Sequence, residues 1–191
     1  MVKISLLRSS PKNICAIDAS TNSLAFAIFS EKELKASGKI NFKGADTYDK
    51  VGDAARKSLA FLEKFEIDAI VIEHTVFMNS PKTAADLALV QGGLLGAARI
   101  VGVKKFGSVS PITWQNYIGN KKLDNAEKLA IAKQNPNKAA STLKSIEREF
   151  RKQKTIKFVN TYYNKSISDN DVADAIAIGH YAVNNLVKLG L

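Results

Sequence analysis

The chain has 191 residues, 46% hydrophobic and 24% charged, which is enough for one domain with a sizeable core. Its formal net charge of +10 favours a polyanionic partner, nucleic acid before an anionic membrane surface. One cysteine, Cys15, excludes an intrachain disulfide, and two histidines without a CxxC argue against a zinc site.

No stretch reaches the roughly 18 apolar residues of a membrane span. The apolar run at the N-terminus is too short for a signal peptide. The expectation is a reduced, cytoplasmic protein without a membrane partner.

Residues 1–12 read as an N-terminal arm. Ile14 to Asp18 is a compact apolar run ending in an acid, which suits a buried strand. Leu24–Phe29 and Leu34–Phe42 read as two further strands of an antiparallel meander. Asp46 to Phe65 has helical periodicity, with Val51, Ala54, Ala55, Leu59 and Leu62 near one face. Ile67 to Glu73 is a fourth strand, again apolar and again ending in an acid. Residues 74–81 are read as a loop.

Residues 83–101 form a helix rich in Ala and Gly, whose small side chains let another backbone approach closely. Residues 105–109 are a short strand. Ser110-Pro111 opens a short helix to Tyr117, with Ser as cap and Pro in the first turn. Asp124 to Gln134 is helical, Asn135-Pro136-Asn137 breaks it, and Ala139 to Lys154 is a basic helix. Residues 155–164 fit no single pattern. A last helix opens at Ser168 or Asp169 and runs to about Leu189.

The order gives an α/β fold, a five-stranded mixed sheet with helices on both faces. It is read as a single domain over 1–191, with an extended basic helical segment over about 120–165.

Three acidic features stand out. Asp18 and Glu73 end two apolar strands, where an acid is unfavourable unless paired or bound to a metal. If those strands are parallel neighbours, both acids lie at one sheet edge, where α/β folds tend to place ligands. Asp171 and Asp174 are three apart on the last helix and share a face. They suit a cation held between them, or simply an acidic first turn favoured by the helix dipole.

Brought together, the four carboxylates make an all-oxygen site for Mg²⁺ or Mn²⁺. A basic protein with such a site points to two-metal phosphodiester hydrolysis, with ions roughly 4 Å apart.

Three motifs carry a resemblance over almost the whole chain. They are Ile17-Asp18-Ala19-Ser20-Thr21-Asn22, then Val71 to Asn79 followed by the Ala/Gly-rich helix, then Asp171 to Gly179. Together the chain resembles the RuvC family of Holliday junction resolvases, within the ribonuclease H-like superfamily. The resemblance implies that Asp18, Glu73, Asp171 and Asp174 bind two Mg²⁺ or Mn²⁺ ions. It also implies a homodimer that cuts a four-way DNA junction.

It suggests Phe77 as a wedge at unpaired bases, where stacking is worth roughly 1–3 kcal/mol per base, against a bland role in the core. Asn79 and Lys82 flank that loop as further DNA contacts. Lys121, Lys122 and Lys128 are read as DNA contacts too and are the candidates for a basic helper. The chain departs from the bacterial pattern in a longer loop after Glu73 and a longer segment over about 119–165. In this it is similar to bacteriophage-type members.

His180 falls off the acid face by helical geometry and is read as structural. Trp114 is read as core. The helix over 83–101 is either the dimer seam or an internal packing surface. Other readings are a non-catalytic junction-binding protein on the same fold, or cleavage of RNA in RNA–DNA hybrids. A sugar-kinase phosphate loop at Asp18 to Ser23 is disfavoured, because such a loop needs glycine for close phosphate approach.

Overall fold

A computed structural model describes residues 10–74 and 80–191. Its strands are β1 (Asn13–Ala19), β2 (Ser23–Ser30), β3 (Glu33–Asn41), β4 (Ala69–Glu73) and β5 (Lys105–Val109). The helices are α1 (Thr47–Leu62), α2 (Pro81–Ile100), α3 (Pro111–Tyr117), α4 (Asn125–Gln134), α5 (Ala140–Tyr163) and α6 (Asn170–Asn184). A 3-10 turn over Val187–Leu189 follows.

The sheet order is β3-β2-β1-β4-β5. The first three strands form the expected meander, and β1, β4 and β5 run parallel. The condition placed on Asp18 and Glu73 is therefore met. Ile17 pairs with Ile72, so the next residue on each strand, Asp18 and Glu73, ends at the same sheet edge.

Strand alternation splits the core into two layers. Cys15, Ile17, Ile70 and Ile72 face one side, where α1 and α2 cover them through Phe61, Leu62, Val90 and Leu94. Ile14, Ala16, Ala69 and Val71 face the other, where α6 lies against them through Ala173, Ile176 and Ala177. Asp18 shares parity with Ala16, and Glu73 with Val71. Both acids therefore point to the side that carries α6.

The depth at which α6 sits is set by Gly179. A Cβ there would come 2.2 Å from Phe29 Cε2 and 3.1 Å from Ala16 Cβ. No side chain fits between helix and sheet at that point.

Side-chain caps fix most helix starts, the one at Ser110 as the sequence predicts. Asp46, Ser80, Ser110 and Asp124 each accept a hydrogen bond from a first-turn backbone N–H. At α6 the cap is Asp169 rather than Ser168, and its Oδ1 accepts from the N–H groups of Asp171 and Val172.

Two boundaries differ from expectation. The basic helix does not stop at Lys154 but runs to Tyr163, because Thr155 and Val159 bury one turn apart and carry its core face onward. The last helix stops at Asn184, where the chain tightens into the 3-10 turn. Most of the expected N-terminal arm, residues 1–9, lies outside the described residues. Among the described residues, no helix is long and apolar enough to cross a membrane.

Candidate active site

Three elements converge at the C-terminal edge of the parallel strands. β1 supplies Asp18, β4 supplies Glu73, and the first two turns of α6 supply Asp171 and Asp174. Asp18, Glu73 and Asp174 are partly buried, and Asp171 is more open, with its side chain 40% exposed.

The acids are close enough to disturb one another. Burial pushes the Asp18 carboxyl well above its usual range, and the charges of Glu73, Asp174 and Asp171 push it further. Asp174 is raised to about 7 by burial and then by Glu73 and Asp171. Burial also raises Glu73. Like charges crowded into a poorly solvated edge are unfavourable unless a cation offsets them.

Part of that offset is a lysine the sequence did not single out. Lys39, on β3, reaches across to α6 and pairs with Asp171 at 2.5 Å and Asp169 at 3.3 Å. Its charge also acts on Asp18. Among the described residues, no three acidic, histidine or cysteine side chains stand at the spacing of an assembled ligand set. With Asp171 drawn toward Lys39, the cluster is an open one.

A second unforeseen residue holds Glu73. Trp114 is fully buried, and its indole N–H donates to Glu73 Oε2 at 2.7 Å. Reading it as core was right, but its polar edge reaches the acid cluster. Thr155 on α5 lines the same cleft as Asp174, and its Oγ1 accepts from Asn120 Nδ2 at 3.0 Å.

A cleft of about 430 Å³ opens beside Glu73 and Asp174. Its walls carry six cationic side chains: Lys122, Lys128, Lys144, Arg148, Arg151 and Lys152. Lys122 and Lys128, expected to contact DNA, are thus brought to the acids. The cations of α5, Lys144, Arg148, Arg151 and Lys152, line the same cleft. Lys121 and Lys82 are exposed and do not line this cleft. Phe77 and Asn79 lie outside the described residues.

His180 stays away from the acids, as predicted. Its Nδ1 bonds the Tyr163 hydroxyl at 2.8 Å, and the ring packs among Phe158, Tyr162 and Tyr163.

No protein-family model matches the sequence, and no curated protein matches it. Solved structures do. The chain is similar to Thermus thermophilus RuvC in complex with a Holliday junction substrate, with TM-score 0.66 and 15% identity over 92% of this chain and 96% of that one. A second Thermus thermophilus RuvC structure gives TM-score 0.64 and 15% identity, over 93% and 97% of the two chains. The fold is that of RuvC.

The yeast mitochondrial Holliday junction resolvase is also similar, at TM-score 0.52 and 14% identity, over 96% of this chain and 83% of that one. The RuvC-like fold accounts for the sheet order and for the placement of α6 across β1 and β2. At these identities it speaks for the backbone, so the site residues rest on the geometry above.

Proposed function

We propose that the protein is a metal-dependent endonuclease that resolves four-way DNA junctions and other branched DNA. The observation that carries this reading is the convergence of Asp18, Glu73, Asp171 and Asp174 beside a cleft walled by six cations. A RuvC-like fold and a net charge of +10 support it. The neighbour bound to a Holliday junction substrate suggests the class of DNA.

The donor set fits Mg²⁺ or Mn²⁺, because it is all oxygen and rich in negative charge. Two such ions, when bound, would neutralise charge at the scissile phosphate and activate water. Asp18, Glu73, Asp171 and Asp174 would hold them. Trp114 keeps Glu73 oriented as an acceptor. Lys122, Lys128, Lys144 and Arg148 hold the flanking phosphates, and the low-dielectric edge strengthens their effect. Lys39 holds Asp171 before cations arrive.

We further propose a homodimer through the outer face of α2. Gly93 packs inward against Val51 of α1. Next to it, on the solvent side of the helix, Leu89 and Ile100 are exposed, and Gly92 and Gly96 meet nothing within 4 Å. The helix therefore serves internal packing at Gly93 and leaves the adjoining solvent-facing strip for a second copy, whose two-fold axis would present two sites to one junction.

The test compares nicking of a four-way junction, a Y-fork and an RNA–DNA hybrid duplex in Mg²⁺ and in Mn²⁺. Cleavage of the junction above the hybrid is expected. Asp18→Asn and Glu73→Gln are expected to abolish cutting and to keep junction binding. Cutting by both variants would refute the assignment of the acids. Binding without nicking in either metal would favour a non-catalytic junction-binding protein, and preferential hybrid cleavage a ribonuclease.

A further inference from the structure

One flank of α5 carries rings and lysines in alternation. Phe150, Lys154, then Lys157 and Phe158, then Thr161 and Tyr162 follow one another at three or four residues, so they share a stripe of the helix. Phe150 is 43% exposed and Tyr162 62%. Lys154 Nζ lies 5.1 Å from the Phe150 ring centroid and pairs with Glu127 at 2.6 Å. Lys157 is exposed and makes no ion pair among the described residues.

Beside the stripe, the turn Ile118-Gly119-Asn120 completes a hollow of about 390 Å³, lined also by Phe158, Thr161, Tyr162 and the two lysines. That volume falls in the range of small-ligand sites, about 300–1,000 Å³. Asn120 lines both this hollow and the cleft beside the acids, so the two adjoin along α5.

The rings are fixed from the core side. Phe158 and Tyr162 lie 23° from parallel, with centroids 5.6 Å apart. His180 meets both edge-on, at 5.2 and 4.6 Å, and the Tyr163 hydroxyl holds His180 Nδ1 at 2.8 Å. An exposed ring held this way loses little freedom when a flat partner stacks on it. A protein partner fits poorly, because the centre of a protein interface excludes lysine. A single strand of nucleic acid needs this alternation, cations for its phosphates and ring faces for its unpaired bases.

We propose that this flank of α5 binds a single DNA strand leaving the cleft, with a base stacked on Tyr162 and a phosphate at Lys157. The proposal rests on the reading that the cleft holds DNA. It adds a substrate feature to that reading, a branched DNA with an unpaired arm.

The experiment measures fluorescence anisotropy of labelled oligo(dT), a Y-fork and a four-way junction with the full-length protein, without divalent metal. Tyr162→Ala is expected to weaken oligo(dT) binding about fivefold or more, and Tyr162→Phe, which keeps the ring, to stay within about twofold of the parent. The loss should be larger on the Y-fork than on the fully paired junction. Lys157→Gln leaves the rings in place and should make the slope of log affinity against log salt shallower by about 0.7 for the single strand.

A parent chain that does not bind oligo(dT) would overturn the platform. So would folded Tyr162→Ala and Lys157→Gln variants that both bind oligo(dT) as the parent does, while junction binding still falls on reversing Lys144 and Arg148. Junction binding unmoved by that reversal would instead overturn the reading of the cleft, and the strand's route to α5 with it. Altered sedimentation of Tyr162→Ala with parent-like oligo(dT) binding would assign the flank to a protein partner and overturn the proposal.

Discussion

Trp114 Nε1 donates to Glu73 Oε2 at 2.7 Å across 41 residues of chain. An indole N–H can only donate, so it favours the charged, accepting form of Glu73. Burial works in the opposite direction and raises that carboxyl. Trp114→Phe removes the donor and leaves burial unopposed, so Glu73 should shift further upward. Its charged form would then be reached only at higher pH. The expected result is a loss of cleavage of about tenfold near neutrality, with the acid limb of the pH–rate profile displaced to higher pH. A reduced rate with an unmoved limb would show that Trp114 serves packing alone.

Asp174 links pH, metal and stability. Its carboxyl is raised from 3.8 to about 7 in the fold. Between those values the folded chain keeps a proton that the unfolded chain has released. The group's stabilising contribution is full below about 3.8 and is lost as pH rises through about 7. Metal-free protein should therefore gain from Asp174→Asn at pH 8, by roughly 1–3 kcal/mol, and gain little at pH 4. Mg²⁺ should raise the melting temperature of the parent more at pH 8 than at pH 5. Thermal unfolding across pH checks both, and equal differences between parent and variant at every pH would count against a raised Asp174.

The cationic wall predicts a salt signature. Lys144 and Arg148 are exposed on α5 and line the cleft. Reversing both to Glu should weaken junction binding by about tenfold or more near 0.1 M salt. The slope of log affinity against log salt should become shallower by about one per lost phosphate contact, so by about two in all. Binding titrations at several salt concentrations measure this, and an unchanged slope would place the DNA elsewhere.

On α2, Ile100 is 78% exposed and borders a small apolar hollow lined by Leu59, Gly96 and Ala97. Ile100→Glu should convert a dimer to a monomer in sedimentation velocity while leaving the unfolding free energy of the monomer within about 1 kcal/mol of the parent. A parent chain that sediments as a monomer would refute the seam.

Much of this site is legible in the sequence because its acids break a local rule. Asp18 and Glu73 end apolar strands, and an unpaired carboxyl there demands a reason. Asp171 and Asp174 reveal themselves by helical spacing, although spacing alone does not separate ligands from dipole-favoured acids. The supporting residues break no such rule. Lys39 is one lysine among many on an outer strand, and only the approach of β3 to α6 brings it to Asp171. Trp114 has every local mark of a core residue. Its second role depends on a pairing between β4 and α3 that no periodicity encodes. The run over 155–163 was obscured by β-branched and aromatic residues that favour helix weakly. Burial of Thr155 and Val159 overrides that preference.

Gly179 has no part in binding or chemistry, yet it governs both from a distance. α6 rests on Phe29 and Ala16 at that residue, as a beam rests on a fulcrum. Asp174 lies five residues nearer the N-terminus, about 8 Å along the beam. A single methyl at position 179 would raise the support and swing the acid-bearing end away from β1 and β4. The spacing of the acids is therefore controlled by a hydrogen atom about one and a half turns away, and small errors in helix height become errors in carboxylate spacing.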